Sequence, residues 1–253
     1  MYKGYLIDLD GTIYLGDEII PAGKRFVERL QEEKIPFLFV TNNSSRTPEE
    51  VVRMLATKFS IQVTTDHVYT SAQATADYMD RLGKEKTVYW IGHEGIKQSL
   101  SAHGYSYEEK NPSFVVVGLD RELTYQKLST ASLAIQKGAT FIGTNPDRNI
   151  PTHEGLMPSA GPSIAYLETA TGQKATVIGK PEAIMMEGAV QRLGLDKQEV
   201  AMVGDNYETD ILAGIHNDIP SILVLTGFTK KEQVPTLPEQ PTHVLNSLDE
   251  WKL

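Results

Sequence analysis

A chain of 253 residues with 40% hydrophobic and 23% charged positions has an ordinary globular composition and enough length to bury a sizeable core. Its formal net charge of -9 argues against a nucleic-acid partner, which needs a basic face for phosphate contacts. The lack of cysteine excludes disulfides, thiolate nucleophiles and Cys-based metal sites and fits a reducing, cytoplasmic setting; no apolar run approaches the length of a membrane span.

The first predicted element is a buried strand over Tyr5-Leu6-Ile7, which delivers Asp8 and Asp10 to its C-terminal tip ahead of Gly11-Thr12. Side chains two positions apart in an extended chain share a face, so two carboxylates meet there. Leaving both ionised in a partly desolvated site costs free energy unless a cation or a shared proton intervenes. An all-oxygen set of this kind favours magnesium over zinc. The same residues also fit a plain Asp-Gly turn.

Pro21 suits a first helical turn, with Phe26, Val27 and Leu30 on one face behind it. A second apolar run, Ile35 to Val40, ends in Thr41-Asn42, and Asn43 to Ser45 read as a turn. Thr47-Pro48-Glu49-Glu50 opens a helix that turns Val51, Val52 and Leu55 inward, and a short strand near His67 to Thr70 closes this block. Strands are predicted again at Thr87 to Ile91, Phe114 to Gly118 and Thr140 to Gly143, with helices between them, one capped by Thr124. A third block starts with a strand at Val177 and sets Lys180 at a helix start. It continues through a helix to Leu193, a strand Val200 to Val203, Gly204-Asp205, a helix near Thr209 to Ile215, a strand Ser221 to Leu225 and an edge strand His243 to Leu245. This alternation predicts an α/β fold built on a doubly wound parallel sheet.

Ligands of such sheets bind beyond the carboxyl ends of the strands. Asp8 with Asp10, Thr41 with Asn42, Lys180 and Asp205 all follow apolar runs. Carboxylates, a hydroxyl and an ammonium gathered at one end suit phosphoryl transfer, where positioning and charge stabilisation dominate. A lysine at a helix start opposes the helix dipole and asks for an anion nearby. Asp205 and Asp210 also read as ordinary helix-start acids, Asp210 in particular. Proline after Lys180 excludes a phosphate-binding loop that needs Ser or Thr there, and the histidines are scattered without ligand spacing.

In their order, Asp8-Leu9-Asp10-Gly11-Thr12, Thr41-Asn42, Lys180 and Gly204-Asp205-Asn206-Tyr207-Glu208-Thr209-Asp210 resemble the four motifs of the haloacid dehalogenase superfamily. The long insertion is similar to a C2-type cap, and Thr144-Asn145-Pro146-Asp147 resembles the NagD-like, or nitrophenylphosphatase-like, branch. The resemblance implies a Rossmann-like catalytic core over 1–72 and 177–253 with an α/β cap over 73–176. It implies a Mg2+-dependent phosphatase in which Asp8 is the nucleophile that becomes an aspartyl-phosphate and Asp10 is the acid and base. The metal would rest on the Asp8 carboxylate, the Asp10 main-chain carbonyl and Asp205, with Asp210 behind them, while Thr41, Asn42 and Lys180 hold phosphoryl oxygens. The expected partner is a small phosphorylated metabolite, a nucleoside monophosphate or sugar phosphate, with Asn145 and Asp147 as candidates to reach it. Caps of this type often support homodimers in the resembling family. A phosphomutase, a phospho-receiver and a non-catalytic sugar-phosphate binder stand as alternatives.

Overall fold

The computed structural model describes residues 1–152 and 154–253, which form two compact units. The first comprises Met1–Thr41, Glu49–Tyr69 and Lys180–Leu253; the second comprises Asn42–Pro48 and Thr70–Gly179. The expected division at 72/73 and 176/177 did not include the short segment Asn42–Pro48. That segment belongs to the second unit because its polar groups are spent there. Asn42 O accepts from Ser71 Oγ at 2.6 Å, Ser44 Oγ from Thr144 Oγ1 at 3.1 Å, and Ser45 O from the Gly95 amide at 3.0 Å.

The first unit is organised on a six-stranded sheet in the order His243–Leu245, Ser221–Val224, Val200–Gly204, Gly4–Ile7, Phe37–Thr41, Val68–Thr70. Gly4–Ile7 pairs in parallel with Phe37–Thr41 on one side and Val200–Gly204 on the other. The chain therefore builds outward in one direction early and in the other direction late, and Gly4–Ile7 lies at the switch point where open α/β sheets form their ligand crevice. Its four residues are all buried, as are those of Phe37–Thr41 and Val200–Gly204, which is why these strands read as unbroken apolar runs. Helix Pro21–Glu32 packs Phe26, Val27 and Leu30 into the core, where the Phe26 ring meets Tyr5 edge-on at 5.3 Å. Complete burial of Phe26 contributes roughly 1.5–3 kcal/mol from the area removed from water.

In the second unit a five-stranded sheet runs Thr176–Val177, Thr140–Gly143, Phe114–Val117, Thr87–Ile91, Ser106–Tyr107, every pairing parallel. Helix Ser71–Leu82 starts at a capping box, with Thr70 Oγ1 accepting from the Gln73 amide and Gln73 Oε1 accepting from the Thr70 amide, and it stops at left-handed Gly83. Thr124 caps helix Tyr125–Gln136 as expected, its side chain accepting from the Lys127 amide. The strand expected at Val177 does not join the first unit: it pairs with Thr140–Gly143, Val177 opposite Gly143. A hairpin of Asn149–Thr152 with Gly155–Pro158, which the sequence reading missed, presents Leu156 and Met157 to solvent. No helix among the described residues is long and apolar enough to cross a membrane.

Candidate active site

Asp8 follows the last residue of the central strand directly, and the register decides what stands beside it. Ile7 is opposite both Phe39 and Val203, so two residues further on Thr41 and Asp205 come level with Leu9 at the same end of the sheet. Thr41 and Asp205 are buried, and the Asp8 side chain keeps 13% of its exposure. Asp10 sits on the exposed turn that follows, where the amide of Gly11 donates to Tyr14 O at 2.6 Å.

Lys180 reaches this end from a loop. The helix behind it begins at Ala183, so the lysine precedes the helix instead of opening it. At 1% exposure, its ammonium donates to Asp8 Oδ1 at 2.6 Å and to Asp210 Oδ1 at 2.8 Å. The anion that a lysine in this position calls for is thus a pair of carboxylates. Asp210 is more than a helix-start acid. The predicted helix near Thr209 to Ile215 is a π-helical turn, Tyr207–Ile211, leading into a short helix, Leu212–Ile215. In that wider turn Asp210 is 1% exposed, and its Oδ2 accepts from the Asn206 amide at 3.1 Å while Oδ1 meets Lys180. Single π turns frequently mark such functional positions.

Charge in this cluster is unbalanced. Among the described residues, Asp8, Asp205 and Asp210 each bring a carboxylate oxygen within 4.8 Å of the others, against the single ammonium of Lys180. Burial first, and then the charge of Asp210, push Asp8 well above the ordinary carboxylate range even though Lys180 pulls the other way. The same two causes, in the same order, push Asp205 up to about 7. Burial works against the Lys180 ammonium, but Asp210 and Asp8 outweigh it and its pKa is raised. A buried set of hard oxygens with surplus negative charge fits a divalent magnesium-like cation, and no nitrogen or sulfur ligand in it would prefer zinc. Within the set, the two Asp210 oxygens are engaged by Lys180 and Asn206, and Lys180 also holds one oxygen of Asp8.

Asn42 adjoins Thr41 in the chain but is anchored in the second unit, where its Nδ2 donates to Asp147 Oδ1 at 2.9 Å. Asn145, 3% exposed, donates from Nδ2 to Asn42 O at 2.8 Å. Asn145 and Asp147 thus each bond to Asn42, and Asn145 also bonds to Thr144 and accepts from the Asp147 amide. The turn read over Asn43 to Ser45 is present, with Asn43 Oδ1 accepting from the Ser45 amide at 2.9 Å.

Sequence reasoning passed over Thr12, whose Oγ1 donates to Asp205 Oδ1 at 3.4 Å, and the run Thr226-Gly227-Phe228, whose last amide donates to Asp205 Oδ2 at 2.6 Å. The signal was available: Thr226-Gly227 follows the apolar strand Ser221–Val224 as Thr41-Asn42 follows Phe37 to Val40.

Profiles described as haloacid dehalogenase-like hydrolase and HAD-hydrolase-like match residues 5–106 and 177–251. The chain is 48% identical over 250 residues to the 5'-nucleotidase YutF of Bacillus subtilis, covering 99% of this chain and 97% of that protein. It is 44% identical over 249 residues to an acid sugar phosphatase of Staphylococcus haemolyticus, covering 98% of this chain and 94% of the relative. Among solved structures, a thermostable NPPase double mutant from Geobacillus stearothermophilus superposes with a TM-score of 0.93 at 47% identity, over 99% of this chain and 98% of the other. A 4-nitrophenylphosphatase from Thermotoga maritima gives 0.93 at 37% identity, over 98% and 95%.

Proposed function

This chain belongs to the haloacid dehalogenase-like hydrolases and is a phosphatase, and from that premise we propose that it hydrolyses small phosphate monoesters, nucleoside monophosphates or sugar phosphates, through an aspartyl-phosphate on Asp8 with magnesium as its cation. The observation that carries the reading is Lys180, whose buried ammonium bridges Asp8 and Asp210 beside Asp205.

A carboxylate oxygen of Asp8 attacks phosphorus, the bond from phosphorus to the ester oxygen breaks, and Asp10 gives its proton to the departing alcohol. Water then attacks the aspartyl-phosphate, Asp10 takes the water proton, and the bond between Asp8 and phosphorus breaks to release inorganic phosphate. Asp10 on its exposed turn is accessible to a leaving group and to water, which suits the acid-base part. Lys180 fixes one oxygen of Asp8 and supplies positive charge where phosphoryl oxygens arrive, and Thr41 offers a hydroxyl at the same level of the sheet. Asp8, the Asp10 main-chain carbonyl and Asp205 would hold magnesium, which supplies charge neutralisation when an anionic nucleophile meets an anionic ester. The names of the relatives, one a 5'-nucleotidase and one an acid sugar phosphatase, support the small-monoester class.

Phosphate release from nitrophenyl phosphate is expected to require magnesium and to fall by on the order of 10⁴- to 10⁶-fold in Asp8→Asn, the range seen when a member of a nucleophilic catalytic set is lost. Turnover retained in that variant rejects the nucleophile assignment; transfer to a sugar hydroxyl without phosphate release would make the protein a mutase.

A further inference from the structure

Asp205 is held from outside its own motif. Its main-chain carbonyl accepts from the Thr229 amide at 3.0 Å, and its Oδ2 accepts from the Phe228 amide at 2.6 Å. Two residues earlier, Thr226 Oγ1 donates to Gly11 O at 2.7 Å, in the turn that directly follows Asp10. Between these two anchors lies Gly227, buried, where a Cβ would overlap the Asp205 carboxylate and stand 2.9 Å from Gly11 Cα. Gly11 itself has φ of +88°, and a Cβ there would also overlap Asp205. Lys230 Nζ closes the loop by donating to Gly227 O. One loop thus grips the acid of one strand tip and the turn of another, with no room for a Cβ between them.

We infer that Thr226, Gly227 and the Phe228 amide form a positioning element for the cation site. The Phe228 amide fixes the rotation of the Asp205 carboxylate, Thr226 pins the turn after Asp10, and Gly227 sets the spacing between the two groups. This rests on the magnesium reading above. Groups that hold a ligand in place without touching the metal typically change affinity or activity about 10–100-fold when removed. Thr226→Val keeps the shape of the side chain and deletes the donor, leaving the Gly11 carbonyl without that bond; Thr226→Ser restores the donor.

The experiment measures thermal stabilisation of the metal-free protein by magnesium in the absence of substrate, alongside the magnesium dependence of nitrophenyl phosphate turnover. Thr226→Val is expected to raise the half-saturating magnesium concentration about tenfold in both readings, with KM for the ester at saturating magnesium close to the wild-type value. Thr226→Ser is expected to recover most of the affinity, and Gly227→Ala to lose at least as much as Thr226→Val. Wild-type magnesium curves for a folded Thr226→Val overturn the inference and leave the proposed function standing. A wild-type protein that magnesium does not stabilise overturns both. If Thr226→Val does not fold by far-UV circular dichroism, Thr226→Ala carries the same comparison, and a wild-type magnesium response there has the same meaning.

Discussion

Each unit contains an aspartate that meets a lysine, and the two are driven in opposite directions. In the first unit Asp8 touches buried Lys180 and is still pushed upward, because burial and the neighbouring Asp210 exceed what one ammonium returns. In the second unit burial also pushes Asp80 up, but hydrogen bonds from Lys86, His103 and Tyr105 together overcome it and draw Asp80 down to about 2. The Asp80 carboxylate accepts from Lys86 at 2.8 Å and pairs with His103 Nδ1 at 2.7 Å, at a side-chain exposure of 36%. The difference is one of stoichiometry and water. Asp80 has three donors around one carboxylate, whereas the Lys180 cluster has three carboxylates around one ammonium. A structural ion pair settles its charge internally; the other cluster is left ready for a positive partner.

Removing the lysine from each cluster breaks or sharpens that contrast. Lys180→Met strips the ammonium from a buried pair of carboxylates, and a loss of about 3–5 kcal/mol is expected in urea unfolding of the metal-free protein. A loss below about 1 kcal/mol would mean that the cluster is balanced after all.

The pH dependence of the metal-free protein comes next. Asp8 and Asp205 hold their protons more tightly folded than unfolded, so their contribution to stability is complete below the ordinary aspartate value, about 3.9. It is lost as the pH rises through their raised folded values, which for Asp205 is about 7. Melting temperature should therefore fall over that window, and magnesium should flatten the fall. Asp80 has the opposite sign, with a contribution that is lost as the pH drops towards about 2, so it does not mask the window. A melting temperature that rises from pH 4 to 7 without metal would reverse the assignment.

Least affected should be Lys86→Met, with a change within about 1 kcal/mol and unaltered nitrophenyl phosphate turnover, because that pair is open to solvent.

Most strands of both sheets were legible as apolar runs with turn residues behind them, and Thr87–Ile91 and Thr140–Gly143 match their predicted bounds; the two exposed residues of Ser106–Tyr107 gave no such run and were not predicted. What such runs do not encode is which sheet a short strand joins. Thr176–Val177 offers two residues, too few for a pattern, and its place is fixed by pairing with Thr140–Gly143. For the site, strand-tip position picked out Asp8, Thr41 and Asp205, whose level follows from register alone. The same rule applied to the second unit finds Thr144-Asn145 after Thr140–Gly143, and there the polar groups are consumed by Ser44 and Asn42. Tip position finds candidates. What separates Asn145 from Asp205 is a long-range matter: Asp205 brings a carboxylate oxygen within 4.8 Å of those of Asp8 and Asp210, whereas Asn145 bonds to Asn42 and Thr144. For Asp210 the sequence left two readings open, a support behind the metal ligands and a plain helix-start acid, because a helix-start acid and a buried partner of Lys180 look alike until the π turn is seen.

The short segment Asn42–Pro48 bears on protein engineering. Exchanging the second unit between relatives invites a graft in which Thr70–Gly179 is replaced as one cassette. Such a graft would keep the host's Asn42, Ser44 and Ser45 while importing foreign counterparts of Ser71, Gly95, Thr144, Asn145 and Asp147, dividing the bonds between them across host and donor. A working chimera has to carry both stretches from the same donor, with its seams at 41/42, 48/49, 69/70 and 179/180.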